Sequence, residues 1–593
     1  MKRHFDIGMH FFLRIACILI TLFFKASLLL ANEVVEVSIQ GLEGEILENV
    51  QAALTIPQGI VEDGKVNMPW LDYFKEQADK KVRTAMEPFG YYNPQIKVTL
   101  ETVAEERYRL VVNVEPGEQV RLTEVKISLL GPGAKEESLS LLVSAFPLQK
   151  GDVLLQKEYE KAKGGLKAKA VELGYLDADF SMHRILVSRS ESNARIELEL
   201  ETGPKYFFGD TNFEGAPEYP DRFLRRYLTY KAGEVFSYGK LGETQLNIVN
   251  SERFREVIIT AEKDKTEELR VPVLIRLQSS PPKSFRTGIG YGTDTGGRVT
   301  LGYKDLNFFQ KGHELHAEVN ISQRLIGLGA GYIIPGLQNI NNLSSFQLNL
   351  QQEDVDTYKT RLISLEANSI RSFGKGRLRT IYLRLLKEKS TIASEEINSF
   401  LILPGIRFSE QRYDDLIRPS RGHRYALEVR GASKYLGSDT NLMQFLVDAN
   451  AILPLPWRLS IFTRLKAGMT LLNESVNNLP ASLRFFAGGD RSVRGYSYQS
   501  LGPKDESGNV IGGRHIFVGS LEIERALFSK WGVAAFYDIG NAFNSLSDIK
   551  FFQGAGIGVR YYTVVGPIRV DVARQIGVRD PKFMIHLSVG FEL

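Results

Sequence analysis

The sequence has almost no cysteine. Its one cysteine among 593 residues, Cys17, lies within the first thirty positions, so the rest of the chain can form neither disulfides nor thiolate metal sites. Beyond those positions it also lacks any run of eighteen consecutive apolar residues, the length that a membrane-spanning helix requires. Neither sign of charge is in excess, since 74 Lys and Arg face 70 Asp and Glu, and we expect no binding of nucleic acid. The eight histidines show no zinc-ligand spacing and no serine lies in a nucleophile motif, so we expect no enzymatic activity, metal or cofactor.

Residues 1–31 are predicted to be an export signal. Basic residues precede a short apolar run, Ile15 to Phe24, and small residues follow as far as Ala31. This layout is typical of a secretory signal peptide, and the run is too short for a transmembrane helix. We expect export with cleavage after Ala31, and an uncleaved anchor is the alternative.

The next part of the chain, to about residue 277, contains three copies of one pattern: strand, helix, helix, strand, strand. The helical spacing of apolar residues is clearest from Leu71 to Ala85. A landmark tyrosine that follows the second helix, Tyr91, returns 84 positions later as Tyr175. We predict three α+β modules, and a plain spacer built of such modules is the alternative. Their predicted bounds are 32–119, 120–204 and 205–279.

From residue 280 to 593, apolar and polar residues alternate with the period of β-strands. His313 to Leu325 is predicted as one strand on this basis. Phe583 to Leu593 alternates in the same way, and so apolar an edge would promote aggregation in water unless another strand paired with it. We therefore predict a closed transmembrane barrel rather than a soluble sandwich, which would show the same period. At roughly 10 residues per strand plus connections, these 314 residues suffice for about 16 antiparallel strands.

The most specific motif lies in a long stretch between predicted strands, about residues 480–514. Its sequence is Gly488-Gly489-Asp490-Arg491-Ser492-Val493-Arg494-Gly495-Tyr496. Four further elements occur before and after it: Arg418-Pro419-Ser420-Arg421-Gly422, Ser520-Leu521-Glu522, Phe536-Tyr537-Asp538-Ile539-Gly540-Asn541 and Gly554-x-Gly556-x-Gly558-x-Arg560. This co-linear set resembles the Omp85 superfamily of outer-membrane assembly and translocation proteins, in which a Val-Arg-Gly-Phe/Tyr tetrapeptide lies on a loop folded into the barrel lumen. The resemblance implies three POTRA repeats of βααββ order followed by an all-β transmembrane barrel.

The arginine of the tetrapeptide suits a buried ion pair. Arg494 keeps its charge at any pH and presents a planar fork of donors, which fits a carboxylate in a lumen of reduced dielectric constant. Asp538 and Glu522, on neighbouring predicted strands, are the candidate docking partners. We expect Gly495 to allow a tight turn and Tyr496 to pack on the barrel wall. The alternative is a surface loop with its arginine in water.

Alternate glycines mark one of the last predicted strands. Gly554, Gly556 and Gly558 precede Arg560, and no strand-to-helix transition follows them, so a nucleotide-binding loop is a poor interpretation. We expect these glycines to leave room for the loop inside the lumen or to relieve strand curvature.

Closure of the barrel requires the predicted first strand, residues 285–291, to pair with the last. Glycines on the first strand leave few side chains to pack, so we expect a weak seam. A weak seam can open laterally and offer unpaired backbone groups to an incoming strand, as in β-augmentation. The Omp85 resemblance implies the same gate. The predicted gate residues are Gly288, Gly290 and Tyr291 on the first strand and Val589, Gly590 and Phe591 on the last.

Three modules, no plug-helix signal after the export sequence and the tyrosine of the tetrapeptide resemble the TamA-type members of this superfamily. The resemblance implies a Gram-negative outer membrane, with the POTRA domains in the periplasm and a TamB-like partner anchored in the inner membrane. It implies unfolded outer-membrane proteins as clients, autotransporters among them, contact with outer-membrane lipids and a link to phospholipid traffic. The alternatives are a two-partner secretion transporter, which passes a polypeptide through its lumen, and a passive outer-membrane pore.

Overall fold

The computed structural model describes residues 34–62, 64–104, 107–415, 419–547, 549–563 and 566–589. The predicted signal peptide, Arg418 and the predicted gate residues Gly590 and Phe591 lie outside these ranges. The described residues form two compact units. One contains those up to 210 together with 231–239 and 262–272, and the other contains 211–230, 240–261 and those from 273 to 589.

The first module has the predicted order of elements, with a short hairpin added between its helices. It consists of β1 (Val35–Gln40), α1 (Gly44–Ala53), β2 (Val61–Glu62), β3 (Lys65–Val66), α2 (Met68–Met86), β4 (Gln95–Ala104) and β5 (Arg107–Glu115). The last strand, β5, is central: it pairs in parallel with β1 and antiparallel with β4. Leu71, Phe74 and Ala78, at the helical spacing seen in the sequence, are buried in one core with Leu110 and Val112 of β5.

The second and third modules repeat this topology, with the last strand again central. The second consists of β6 (Arg121–Leu130), α3 (Glu137–Ser144), α4 (Gln156–Glu172), β7 (Asp179–Ser188) and β8 (Asn193–Glu201), in sheet order β6-β8-β7. The third consists of β9 (Phe207–Glu214), α5 (Asp221–Leu224), α6 (Tyr238–Val249), β10 (Phe254–Ala261) and β11 (Arg270–Ser279), in order β10-β11-β9. Among the described residues, no helix is both long enough and apolar enough to cross a membrane.

A closed barrel of sixteen antiparallel strands follows, which confirms the predicted fold class. Each strand pairs with the next along the chain, and the last pairs with the first. The strands are β12 (Lys283–Gly292), β13 (Gly296–Phe308), β14 (His313–Ser322), β15 (Leu325–Pro335), β16 (Asn342–Asp354), β17 (Tyr358–Ser372), β18 (Arg377–Ile392), β19 (Glu395–Tyr413), β20 (Gly422–Ala432), β21 (Leu442–Leu455), β22 (Leu459–Leu472), β23 (His515–Ala526), β24 (Trp531–Phe543), β25 (Phe552–Thr563), β26 (Gly566–Ile576) and β27 (Phe583–Val589).

The two faces of the barrel wall differ as the alternation predicts. On β17, Ile363 and Leu365 are each 52% exposed, whereas the intervening Ser364 and the following Glu366 are 6% and 7% exposed. Apolar side chains therefore cover the outer face and polar side chains line the lumen, the arrangement that lipid outside and water inside require.

One predicted strand is wrong. His313 to Leu325 is not a single strand: β14 ends at Ser322, and β15 begins at Leu325 after a turn of two residues. The Ser322 hydroxyl donates to the Leu325 carbonyl oxygen and accepts from its N–H, which closes this turn. A two-residue turn keeps the period of two through the hairpin, so alternation of hydrophobicity cannot reveal it.

Candidate functional site in the barrel lumen

The segment between β22 and β23, residues 473–514, is folded against the inner wall of the barrel. The Ser482 backbone N–H donates to Oε1 of Glu388 on β18 at 3.2 Å. Val493 is fully buried and Arg494 is 4% exposed. The alternative of a surface loop with its arginine in water is therefore excluded. We call this segment the lumen loop.

Arg494 lies among three carboxylates on three strands. Its Nε donates to Oδ2 of Asp538 at 2.7 Å and its Nη2 to Oδ1 at 3.0 Å, which makes a bidentate pair. Its Nη1 donates to Oε2 of Glu522 at 2.7 Å and to Oδ2 of Asp571 at 3.1 Å. The guanidinium carbon lies 3.4 Å from the centroid of the Phe536 ring. Both candidate partners from the sequence, Asp538 and Glu522, thus contact the arginine together.

Arg560 extends this ion pair into a network. Its Nη2 donates to Oε1 of Glu522 at 2.8 Å and its Nη1 to Oδ1 of Asp571 at 2.5 Å. Arg560 is 1% exposed and Asp538 is fully buried. Buried charges are costly unless they are paired and hydrogen-bonded. Arg494 thus brings a positive charge from the loop to the buried Asp538 carboxylate, which also accepts from the Ser520 hydroxyl at 2.6 Å.

Sequence reasoning missed Asp571, which both arginines contact. Asp571 lies on β26 between Val570 and Val572, which are 39% and 41% exposed on the outer face. A charged residue at an inward position of an otherwise alternating strand is the signal that could have identified it. His586, which pairs with Asp571 across strands β26 and β27, was also missed.

The glycines before Arg560 make room for the loop and for the ion pairs. A Cβ atom on Gly554 would lie 1.9 Å from the carbonyl oxygen of Arg494, and one on Gly558 would lie 1.8 Å from Oδ1 of Asp571. A Cβ on Gly556 would lie 2.1 Å from a backbone oxygen of the neighbouring strand. Of the two reasons expected from the sequence, room for the loop thus applies directly to Gly554.

The glycines of the lumen loop serve its backbone. Gly488, Gly489 and Gly495 have φ angles of +101°, +107° and +93°, which residues with a side chain rarely adopt. The turn at Gly495 places Tyr496 against the wall, where its ring meets that of Phe552 edge-on at a centroid distance of 5.4 Å. The tetrapeptide is therefore held by its backbone turn, its ion pairs and an aromatic contact.

The seam between the first and last strands is short in the described part of the chain. There β12 pairs with β27 at two positions, Tyr291 with Val589 and Gly292 with Ser588, whereas it forms ten residue pairs with β13. The structure thus brings Tyr291 and Val589, two of the predicted gate residues, into direct register.

The first strand has small inward-facing residues at this seam. A Cβ on Gly290 would lie 2.6 Å from Nε of Arg298 and 2.8 Å from the carbonyl oxygen of Val589. Arg298 uses that space to donate from Nη2 to the same Val589 oxygen at 3.3 Å. Gly288, by contrast, has only one atom near the position of a Cβ, at 3.7 Å. The inner side of β12 consequently contributes little side-chain packing to the seam.

Two parts of this architecture match models of known families. A model of the Omp85 superfamily domain matches residues 283–592. The chain belongs to the Omp85 superfamily. A model of POTRA domain TamA domain 1 matches residues 36–116, so the first module of this Omp85 protein is a TamA-type POTRA domain. Members of the superfamily are assembly or transport factors rather than enzymes.

Curated relatives are distant in sequence. Outer membrane protein assembly factor BamA of Nitratidesulfovibrio vulgaris is 22% identical over 423 residues, which cover 67% of this chain and 52% of that protein. Sorting and assembly machinery component 50 homolog A of Xenopus laevis is 23% identical over 305 residues, which cover 47% of this chain and 61% of the relative. The Omp85 protein described here thus spans between about half and three-fifths of the length of these relatives.

A solved structure has a similar fold. The crystal structure of BamA from Haemophilus ducreyi lacking POTRA domains 1-3 superposes with a TM-score of 0.67 at 17% identity, covering 79% of this chain and 99% of that one. At this identity the likeness establishes the fold of the Omp85 protein.

Proposed function

We propose that this Omp85 protein assembles β-barrel proteins, autotransporters among them, into the outer membrane of a Gram-negative bacterium through the seam between β12 and β27. The three modules extend into the periplasm, where they hold unfolded clients and dock a TamB-like protein anchored in the inner membrane. The observation that carries the proposal is the seam, where the first strand bears glycines on its inner side and pairs directly with the last strand at Tyr291 and Val589.

An open seam would expose β12 as a template. Backbone N–H and C=O groups along its edge would pair with a client strand, and the alternation of the two faces would set the register. Phe285 and Ile289 are 80% and 86% exposed on the outer face. A client strand added here would therefore place its own apolar side chains beside them, toward lipid.

The docked lumen loop supports assembly at the seam over passage through the lumen. Ion pairs and packing hold the loop against the inner wall, so a passive pore or a polypeptide channel would first have to displace it. Single-channel recording separates these functions: assembly at the seam predicts low conductance, whereas a large, steady conductance that is unaffected by changes in the loop would favour a pore.

The TamA-type assignment has separate support. The first module matches the model of POTRA domain TamA domain 1, and the two curated relatives are named as components of assembly machinery. A TamB-like partner should co-purify with the full chain from crosslinked cells. Loss of that partner without loss of assembly would remove the TamA-type assignment and leave assembly itself in place.

Capture of a client at β12 tests the proposal. A single cysteine at Ile289 should form a disulfide with a cysteine in the terminal strand of an autotransporter barrel arrested during assembly. A cysteine at Ile363, which is also outward-facing but lies within the wall on β17, should not. Efficient assembly with no adduct at β12, or equal adducts at both positions, would contradict lateral templating.

Deletion of the gene tests the function in the cell. The outer membrane of the deletion strain should contain less of one or more β-barrel proteins, and restoring the gene should reverse the loss. An unchanged protein and lipid composition would count against assembly. A change in phospholipids alone would instead favour lipid transport.

A further inference from the structure

A chain of hydrogen bonds joins the first barrel strand to the last through the lumen loop. Asp490 of the loop donates its backbone N–H to Oδ2 of Asp294, in the turn that follows β12, at 2.6 Å. Oδ1 of Asp490 is hydrogen-bonded to Nδ1 of His586 on β27. Nε2 of His586 in turn contacts the backbone N–H of Gly495 at 2.9 Å. The loop thus contacts both sides of the seam.

The hydrogen-bond partners of His586 define its tautomer. Because Nε2 accepts from a backbone N–H, the proton of the neutral ring is assigned to Nδ1, where it faces the Asp490 carboxylate. The side chain is 3% exposed, so water does not offer a ready substitute for either partner. Both nitrogens of one ring therefore hold the loop, one on each side of Arg494.

A metal site is the competing interpretation of this cluster. Asp294, Asp490 and His586 each place one possible ligand atom within 4.8 Å of the others. A metal bound at Nδ1 would move the ring proton to Nε2, where it would oppose the N–H of Gly495. Two donors would then face each other in a buried place. The geometry therefore favours hydrogen bonding without a metal.

We propose that Asp294, Asp490 and His586 form a latch, in which the docked lumen loop holds the seam closed. Among the described residues, two hydrogen bonds cross the seam just beyond the paired positions: Thr293 donates its N–H to the Leu587 carbonyl oxygen at 2.9 Å, and Leu587 donates its N–H to the Thr293 hydroxyl at 2.7 Å. Since the loop adds a bond to each side, undocking of the loop and opening of the seam become linked steps. This inference rests on the proposed function, because it assigns a control to the proposed gate.

Two variants of His586 separate the two halves of the latch. His586→Asn keeps an N–H donor near the position of Nδ1 and loses the acceptor for Gly495, whereas His586→Gln keeps an acceptor near Nε2 and loses the donor to Asp490. Asp294→Asn is the conservative variant on the other side, since its amide oxygen can still accept from the Asp490 N–H. His423→Gln is the control: it changes a histidine on β20, away from the seam, whose Nε2 lies 3.5 Å from Oε1 of Glu410.

Hydrogen exchange in the purified full-length protein measures seam opening without a client. The amides of Thr293 and Leu587 are both bonded across the seam, so their exchange reports its opening. Each His586 variant should speed their exchange about tenfold and make the loop similarly more sensitive to protease, because a buried bond to a charged or backbone group is lost. Asp294→Ala should speed exchange at these two amides in the same way. Asp294→Asn should keep exchange close to the wild-type rate, and His423→Gln should have no effect.

Two results would refute the latch. One is unchanged exchange at Thr293 and Leu587 in both His586 variants. The other is faster exchange throughout the wall, for example between β16 and β17 as well, which would mean that His586 supports the barrel in general. Because no client is present, a working latch in a protein that assembles nothing would contradict the proposed function alone.

Discussion

Replacing Arg494 by alanine should undock the lumen loop. The change leaves Glu522 and Asp571 with Arg560, but it removes the guanidinium that holds the fully buried Asp538 at 2.7 and 3.0 Å. An uncompensated buried carboxylate costs about 3–5 kcal/mol, which corresponds to a shift of at least a hundredfold in the ratio of docked to undocked loop. The docked fraction in Arg494→Lys should lie between those of the wild type and Arg494→Ala, since lysine keeps the charge and loses the bidentate fork.

Limited proteolysis of the purified protein in detergent measures this effect. Cleavage within residues 480–514 should be slow in the wild type and much faster in Arg494→Ala. Arg384→Ala is the control: it removes an arginine that pairs with Glu366 at 2.6 Å on the lumen wall, so it should lower barrel stability while leaving the loop protected. The double variant Arg494→Ala with Asp538→Ala should cost less than the sum of the single changes. Equal protection of the loop in Arg494→Ala and wild type would refute the docking mechanism.

Three further predictions concern single positions. Gly554→Ala should undock the loop, because its Cβ would lie 1.9 Å from a loop carbonyl oxygen, whereas Gly297→Ala, with no atom within 4 Å, should leave protease protection unchanged. Gly164→Ala lies inside helix α4, where a Cβ would meet no atom within 4 Å, so it should raise the free energy of unfolding of the second module by about 0.5–1 kcal/mol. Calorimetry of the full chain measures this, and a lower melting temperature of the module would contradict it. Burial and the nearby Asp490 raise the pKa of Asp294, in the turn after β12, to about 7. The folded protein then retains a proton that the unfolded chain loses near pH 4, so this stabilisation is complete below about pH 4 and is lost as pH rises through about 7. Asp294→Asn should flatten that fall in a melting series from pH 5 to 8, and an identical pH profile would contradict it.

The fold could be predicted from the sequence because it depends on period. Helical spacing from Leu71 to Ala85 and alternation through the barrel follow from which face of each element is buried. Both periods can be recognised in short stretches of neighbouring residues. Strand ends were less predictable. The turn between Ser322 and Leu325 preserves the alternation, so only its hydrogen bonds define it.

The candidate site could be predicted only in part, for a different reason. Asp538 and Glu522 belong to motifs that accompany the tetrapeptide in the sequence. Asp571 and His586 are brought to Arg494 and Gly495 by the register of β26 with β27 and by how deep the loop lies in the lumen. Neither quantity is encoded in a local pattern, so contacts between the loop and the last two strands required the structure.

Locking the seam tests the central claim most directly. Cysteines at Tyr291 and Val589 occupy paired positions on antiparallel strands, where Cα atoms approach to about 4.5–5.5 Å, within the range of a disulfide. The same treatment at Leu350 and Ile363, paired within the wall on β16 and β17, provides the control. In liposomes supplied with an unfolded autotransporter barrel, the seam disulfide should stop client assembly, reductant should restore it, and the control disulfide should have no effect. Full assembly with the seam covalently closed would contradict the account.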